Sequence, residues 1–232
     1  MRIKQFRYAA DNFGYLIYTG TSALAVDGGA VENMRAFLEA EGLELTYVAN
    51  THSHGDHTVG NGQLLSRTRA RFLESGELLK TGHLDLAGET IRVYPTPGHT
   101  RDSITFHCGP VLITGDTLFN GTVGNCFSGD LEGFFHSIRM LMDHPPDTRI
   151  YAGHDYVQAS MAFARTLEPA NPAIEAYLRS YDSGHVCSTL TDELRANPYL
   201  RFNDPAMVEV LRQKGLPVDT EFRRWESLMS LE

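Results

Sequence analysis

The sequence predicts a mixed α/β fold: a sandwich that extends to about residue 165, followed by a small helical region. Three observations support this prediction. Short apolar runs bounded by turn residues occupy most of the first region, and two stretches with helical spacing interrupt them. After Tyr156, helical segments separated by prolines replace the extended runs. With 232 residues, 42% of them hydrophobic, the chain can bury a sizeable core.

The elements of the first region follow from local patterns. Apolar runs between turn residues predict strands at 3–8, 15–18, 23–26, 45–49, 90–94, 103–107, 111–114 and 149–151. Apolar residues at helical spacing predict helices at 31–41, where Gly42 provides a stop, and at 131–143. We assign these elements to one domain, residues 1–165.

The second region, residues 166–232, is predicted to be helical. Its helical patterns begin just before the boundary and lie at 158–167, 173–180, 190–195 and 207–214. Prolines between these segments separate them. No strand is expected beyond Tyr156.

Composition excludes several classes of function. The formal charge of −9, without any block of Lys and Arg, argues against a nucleic-acid partner, because phosphate contacts require clustered cations. No apolar run approaches membrane-spanning length, so we expect no membrane partner and a cytoplasmic protein. Cys108, Cys126 and Cys187 lack the spacing of a zinc or redox pair and are interpreted as free thiols.

One short motif carries most of the chemistry. Directly after the strand at 45–49 the chain reads Thr-His-Ser-His-Gly-Asp-His, which places three histidines and an aspartate within six positions, at His52, His54, Asp56 and His57. Alternate side chains of an extended stretch point the same way, so His52, His54 and Asp56 can converge, while Gly55 lets His57 turn aside. Imidazole and carboxylate ligands suit zinc, iron or manganese.

Three later segments share one design, in which a glycine precedes a possible ligand at the end of a strand or turn. They contribute His99, Asp116 and His154. Taken singly, each is more typical of a structural histidine or a capping aspartate. Together with the first motif they complete two coordination spheres. The other histidines lie outside these motifs and are assigned to structure or surface: His83, His107, His136, His144 and His185.

Over residues 10–157 this order of motifs resembles the metallo-β-lactamase superfamily. The resemblance implies an αββα sandwich with a dinuclear metal site at one edge. It further implies that His52, His54 and His99 bind one metal, that Asp56, His57 and His154 bind the other, and that Asp116 bridges both.

Further motifs resemble glyoxalase II, the hydroxyacylglutathione hydrolases, and extend the resemblance through the helical region. They are Gly-Asp-Thr-Leu-Phe at 115–119, Gly-His-Asp-Tyr at 153–156, and the segments at 163–171, 188–190 and 197–201. The resemblance implies that Tyr156 and the loop residues Asn125 and Phe127 contact substrate, as do Arg223 and Arg224. Asn125 stands where the family usually has a basic residue, and Glu226 where a Lys is common, which removes cations suited to glutathione.

We therefore predict a dinuclear-metal hydrolase that cleaves a small-molecule thioester, with zinc favoured over iron or manganese. Asp56 is predicted to be catalytic, because it would orient the attacking hydroxide as well as bind metal. The alternatives within the same fold are a mononuclear iron persulfide dioxygenase and a lactonase or other metallo-hydrolase. A metal-stabilised binding module without activity is the alternative from a different class.

Overall fold

Two mixed β-sheets form the centre of the protein. The computed structural model describes residues 1–231, so residue 232, which ends the predicted helical region, lies outside the described residues. The first sheet has the order β1-β2-β3-β4-β5, formed by Arg2–Tyr8, Asn12–Thr19, Ser22–Val26, Glu44–Ala49 and Arg71–Leu73. The second has the order β11-β10-β9-β8-β7-β6; in chain order, β6 to β11 are His83–Leu86, Glu89–Pro95, Ile104–Cys108, Val111–Gly115, Arg149–Ala152 and Ser188–Thr189.

Helices cover the outer faces of both sheets. The N-terminal part has the helices α1 to α5, at Val31–Ala40, Gly55–Thr58, Asn61–Arg67, Ser75–Thr81 and Leu131–Met142, of which α1 covers the first sheet and α5 the second. Helix α1 buries Val31, Met34 and Leu38, which are spaced to form one face and pack on the first sheet. Helix α5 buries a corresponding face against the second sheet.

A hydrophobic core fills the space between the sheets. Tyr15 and Ile17 of β2 belong to the same buried cluster as Phe106 of β8 and Ile113 of β9. Because both faces of β2 are covered, nearly its whole length is buried and it shows no alternation of polar residues. The layers therefore run helix, sheet, sheet, helix, which confirms the predicted αββα sandwich.

The C-terminal helices pack into the cores of the sandwich. Helices α6 to α10 comprise Val157–Leu167, Pro172–Ser180, Leu190–Ala196, Pro205–Gln213 and Glu221–Met229, with a short 3₁₀ helix at Pro198–Leu200. Ile174 and Tyr177 of α7 join the cluster between the sheets. Trp225 of α10 joins the cluster beneath α5. The proposed boundary at residue 165 falls inside α6.

The structure corrects the expectation that no strand follows Tyr156. Ser188 and Thr189 form β11, which pairs antiparallel with Ile150 and Arg149 of β10. A strand of two residues is too short to show alternation, and its partner is distant in sequence, so local pattern could not reveal it. The sequence also did not predict α2, α3, α4, α10, β5 and β6.

Parallel strand pairs bring the motif loops to one edge of the sandwich. Strand β3 runs parallel to β4, and β9 runs parallel to β10. Asp27 follows β3, the Thr51–His57 loop follows β4, Asp116 follows β9, and His154 comes shortly after β10. The carboxyl ends of parallel strands meet at one edge, which explains why separate segments converge there. Within residues 1–231, no helix combines the length and apolar character needed to cross a membrane.

Candidate metal centre

The loop after β4 sends its side chains in two directions. We expected an extended run in which His52, His54 and Asp56 converge. Instead, His54 is the N-cap of α2, which begins at Gly55, so Asp56 and His57 lie on a helical turn. This turn separates the motif into two ligand groups, and the expectation that Asp56 points with His52 and His54 was wrong.

The first group consists of three histidines and one aspartate: His52, His54, His99 and Asp116. Nδ1 of His54 lies 3.0 Å from Nε2 of His52 and 3.0 Å from Nε2 of His99. Asp116 Oδ2 lies 3.5 Å from His99 Nε2 and 3.9 Å from His52 Nε2. These four side chains therefore direct ligand atoms toward a common point.

The second group consists of Asp56, His57 and His154. The two Nε2 atoms of His57 and His154 are 3.2 Å apart. Oδ2 of Asp56 lies 3.3 Å from Nε2 of His154 and 3.6 Å from Nε2 of His57. The Asp56 side chain is the exposed member, so this group opens toward solvent.

Asp116 lies between the two groups. Its Oδ1 is 3.3 Å from Nε2 of His57, and its Oδ2 is 3.4 Å from Nε2 of His154 as well as close to His99. One buried carboxylate thus contacts histidines of both groups. This is the arrangement required of a bridging ligand.

The residues fit a pair of cations on three independent observations. Nitrogen ligands about 2.0 to 2.1 Å from a tetrahedral zinc lie about 3.3 Å from each other, close to the spacings within both groups. Asp116 Oδ1 is buried and accepts no hydrogen bond from the described residues. A Cβ at Gly153 would lie 2.0 Å from that oxygen, so glycine there allows the backbone to approach the cluster.

Carboxylates outside the two groups orient their histidines. Nδ1 of His57 donates to Oδ2 of the buried Asp27 over 3.0 Å. Thr51 also donates to this carboxylate, through its backbone N over 2.8 Å and its hydroxyl over 2.7 Å. Nδ1 of His154 donates to Oδ1 of Asp11 over 3.0 Å. Such partners fix the ring orientation and tautomer of a metal-binding histidine.

The sequence analysis singled out neither Asp11 nor Asp27. One available signal was that Asp27 directly follows a buried strand whose parallel neighbour leads to the metal motif. Its backbone is also left-handed, with φ of 53°, a conformation that aspartate and asparagine tolerate better than most residues.

Burial and charge shift the pKa values of the histidines in opposite directions. Burial, together with the neighbouring His57, lowers the pKa of His52 to about 4. For His57, burial opposes protonation, but the carboxylates of Asp27 and Asp116 outweigh it and raise the pKa to about 11. Burial also opposes ionisation of Asp116, yet the neighbouring rings of His154 and His57 hold the pKa of this carboxyl well below the usual range. The pKa values of two neighbouring histidines of the centre, His52 and His57, are therefore shifted in opposite directions.

The predicted substrate-contacting residues near residue 125 lie at the rim of the centre. The Phe127 ring is exposed, with its centroid 5.2 Å from that of His99 and 5.8 Å from that of His54. The side chain of Asn125 is exposed, while its carbonyl accepts a hydrogen bond from Nδ1 of His99 over 3.0 Å. Tyr156 stacks on His154 with a centroid distance of 5.1 Å.

The two arginines of α10 have other partners in this structure. Arg223 forms an ion pair with Glu226 over 2.7 Å. Arg224 donates to Asn203 Oδ1 and to the carbonyl of Val218. Neither arginine has a hydrogen bond or ion pair with the metal cluster within residues 1–231, and their substrate role stays a prediction.

The remaining histidines lie outside the ligand groups found within residues 1–231. His107 and His144 contact each other and Tyr94, and Nε2 of His185 is hydrogen-bonded to the hydroxyl of Tyr151. Cys108, Cys126 and Cys187 are free thiols, as the sequence predicted. Cys126 contacts Ser128 rather than a metal ligand.

Two family models cover most of the chain. The model described as the metallo-beta-lactamase superfamily matches residues 11–83 and 74–154, and the model described as the hydroxyacylglutathione hydrolase C-terminus matches 155–227. A hydroxyacylglutathione hydrolase of Pseudoalteromonas translucida is 32% identical, over 100% of this chain and 97% of that protein. The chain belongs to the hydroxyacylglutathione hydrolase family of the metallo-β-lactamase superfamily.

Other relatives agree with this assignment. A hydroxyacylglutathione hydrolase of a Synechococcus species is 36% identical, over 89% of this chain and 91% of that protein. Among solved structures, ETHE1 from Myxococcus xanthus superimposes with a TM-score of 0.67 at 22% identity, over 98% of this chain and 100% of that chain. The metallo-beta-lactamase BLEG-1 gives 0.66 at 19% identity, over 86% and 99%. At these identities the structural matches support the fold alone.

Proposed function

We propose that this member of the hydroxyacylglutathione hydrolase family hydrolyses a small-molecule thioester at a centre of two divalent cations. The observation that supports it most strongly is the convergence of seven side chains from four loops into two adjacent ligand groups: His52, His54, Asp56, His57, His99, Asp116 and His154. Hydroxyacylglutathione hydrolases that match nearly the whole chain support the choice of a thioester.

The ligand roles follow from the two groups. His52, His54 and His99 would hold the first cation, and Asp56, His57 and His154 the second. The Asp116 carboxylate, placed between the groups, would contact both. The set contains only imidazole and carboxylate donors, which zinc accepts readily, so we propose zinc, with iron or manganese as the alternatives to be distinguished by elemental analysis.

Bound in these groups, two divalent cations would supply an activated water at neutral pH and polarise the substrate carbonyl. Asp56 combines the roles of ligand and catalytic residue, because it is the exposed member of its group and can orient that water. Asn12 holds it in place by donating an amide hydrogen bond to Oδ2 of Asp56 over 2.9 Å. A thiolate leaves with little help from a proton donor, so the proposal requires no dedicated general acid.

The helical region completes the substrate site in this proposal. We divide the chain into a catalytic domain, residues 1–165, and a substrate-binding region from residue 166 to the C-terminus. The stacking of Tyr156 on His154 supports a substrate contact just before that boundary. We also propose a cytoplasmic location, which the three free thiols favour because reducing compartments keep cysteines unpaired.

The test compares the wild-type protein with Asp116→Asn after loading with zinc, iron or manganese. Metal content is measured by elemental analysis, and hydrolysis is assayed on a thioester, a lactone and a phosphodiester. We expect two metals per chain and thioester hydrolysis for the wild type, and loss of both in the variant. Asp85→Asn, at an exposed position within β6, is the matched control. Full metal content and activity in Asp116→Asn would refute the bridging role.

A further inference from the structure

The hairpin formed by β1 and β2 lies against the second ligand group. Tyr8, the last residue of β1, donates from its hydroxyl to the backbone carbonyl of Asp56 over 2.9 Å. Asn12, the first residue of β2, donates to Oδ2 of Asp56 over 2.9 Å. In the turn between them, Asp11 accepts a hydrogen bond from Nδ1 of His154 over 3.0 Å. One hairpin therefore orients both the exposed carboxylate and a histidine of this group.

The first ligand group has different partners. Nδ1 of His52 lies 3.1 Å from the hydroxyl of Thr51, and Nδ1 of His99 donates to the carbonyl of Asn125 over 3.0 Å. The nearest polar atoms to Nδ1 of His54 are those of the other two histidines. Within residues 1–231 no hydrogen bond joins these three ligands to the hairpin. A shift of the hairpin would therefore disturb one ligand group and leave the other in place.

The turn of the hairpin depends on contacts with the rest of the fold. Ala9 has a left-handed backbone with φ of 50°, a conformation that is unfavourable for alanine and persists only where surrounding contacts maintain it. Two backbone hydrogen bonds join the hairpin to the segment after β10. The N–H of Phe13 donates to the carbonyl of Gly153 over 2.8 Å, and the N–H of Asp155 donates to the carbonyl of Asp11 over 2.9 Å.

The side chain of Asp155 adds the charged contact that holds the hairpin. It is 8% exposed, and its Oδ2 accepts hydrogen bonds from Arg7 over 2.5 Å and from the hydroxyl of Tyr181 over 2.8 Å. Arg7 pairs with Phe13 across the hairpin, and its guanidinium lies 4.7 Å from the centre of that ring. Arg7 also donates to the carbonyl of Ser183 over 3.0 Å. Because charge-assisted hydrogen bonds are stronger than neutral ones, the buried carboxylate fixes Arg7 and with it the end of β1.

We propose that Asp155 is a positioning residue for the second cation: through Arg7 it holds the β1–β2 hairpin in the place where the hairpin orients the second ligand group. This inference rests on the proposed function and names a residue on which one of the two cation sites depends. Tyr181 directly follows α7, so the same carboxylate connects the helical region to that site. Removing the carboxylate should loosen the hairpin and weaken binding of the second cation selectively.

The experiment measures stepwise zinc binding by calorimetric titration of the metal-free protein. His99→Ala and His154→Ala each remove a ligand from one group and so identify the binding step that belongs to it. Asp155→Asn should weaken the step of the second group about tenfold and leave the step of the first group unchanged. This is the lower end of the effect of losing an orienting partner, because Asp155 acts through the hairpin rather than directly on a ligand.

Two further variants test the contacts of Asp155 separately. Arg7→Gln should cause the same selective weakening, and its combination with Asp155→Asn should cause no more than either change alone, because the two residues act as a pair. Tyr181→Phe removes one hydrogen bond and should weaken the same step about threefold. It keeps the aromatic ring, so it tests the proposal even where Asp155→Asn fails to fold.

Matched controls change the same chemical groups elsewhere. Asp147→Asn is exposed in the loop before β10, and Tyr47→Phe lies in β4, where the tyrosine hydroxyl has no hydrogen bond within the described residues. Both should leave the two binding steps unchanged. Thioester hydrolysis by Asp155→Asn should be reduced at limiting zinc and restored by excess zinc, because the variant loses affinity for a cation rather than a catalytic group.

The outcomes separate this inference from the proposed function. A wild-type protein that binds fewer than two zinc ions, or that binds two and hydrolyses no thioester, would refute the proposed function. Given two ions and hydrolysis in the wild type, an unchanged second step in Asp155→Asn, Arg7→Gln and Tyr181→Phe would overturn the inference alone. Equal weakening of both steps would also overturn it, since that result indicates a general structural role.

Discussion

At the scale of single residues, the pair of Asp27 and His57 connects the fold to the chemistry. Asp27 is fully buried and uses both carboxylate oxygens to fix the loop after β4 and the ring of His57. It is also a main reason why the pKa of His57 is raised. A residue that the sequence analysis did not single out therefore orients a proposed ligand and raises its pKa.

This pair predicts the pH dependence of metal binding. With its pKa raised to about 11, His57 of the metal-free protein holds a proton at pH 8, whereas a metal ligand must be neutral. Metal binding should therefore release a proton from His57, and affinity should rise with pH up to about 11. Calorimetric titration with zinc in two buffers of different ionisation enthalpy measures the protons released.

Asp27→Asn removes the carboxylate while keeping its shape and its tolerance of a positive φ. On binding zinc at pH 8, the variant should release fewer protons than the wild type, because His57 loses the carboxylate that contributes most to raising its pKa. Its metal affinity should fall about 10- to 100-fold, the usual effect of removing an orienting partner. Asp85→Asn is the control, and unchanged affinity in Asp27→Asn would contradict the orienting role.

At the scale of elements, a buried glutamate joins the helical region to the second sheet. Glu193 of α8 accepts hydrogen bonds from Tyr177 of α7, from Ser188 of β11 and from the backbone N of Gly121, as well as from Asn197. Burial raises the pKa of Glu193, and these four donors oppose the shift. The network fixes α7, α8 and β11 against the loop after Asp116.

Glu193→Ala should reduce the free energy of unfolding by about 3 kcal/mol, because it leaves several buried donors without an acceptor. Chemical denaturation followed by circular dichroism measures the change. Glu39→Ala, on the exposed side of α1, is the control and should change the stability by less than about 0.5 kcal/mol. Equal stabilities for the two variants would show that the network contributes little.

At the scale of the whole molecule, the sandwich and the C-terminal helices share their hydrophobic cores. Trp225 of α10 is fully buried, and its ring lies 5.4 Å from that of Phe134 in α5. Phe134 in turn packs closely against Gly98, the residue before His99: a Cβ at Gly98, where φ is 146°, would clash with the Phe134 side chain. The last helix therefore supports a metal-site loop through α5.

Trp225→Ala should destabilise the protein by about 3 to 5 kcal/mol, the usual range for removing a large aromatic side chain from a core. Because both regions share that core, we expect one cooperative transition that shifts as a whole in thermal unfolding monitored by circular dichroism. Ser230→Ala, at the exposed end of α10, is the control. A separate early transition confined to part of the helical signal would indicate independent folding of the C-terminal region.

The sequence by itself determined the sandwich and singled out the residues of the proposed metal centre. Continuous apolar runs reveal the buried strands. The dense His and Asp motif after one of these strands indicates metal binding by its residue types alone, without knowledge of the fold. Every metal-ligand residue predicted from these motifs lies in the two groups that the structure brings together.

Only the tertiary structure decided how those residues divide and what surrounds them. The helical turn at Gly55 assigns Asp56 and His57 to one group, and packing brings Asp27, Asp11 and the two-residue strand β11 to their partners. These relations join segments far apart in the chain, so no local periodicity encodes them. Local spacing specifies the type of chemistry, whereas long-range packing sets its geometry and the surface that a substrate meets.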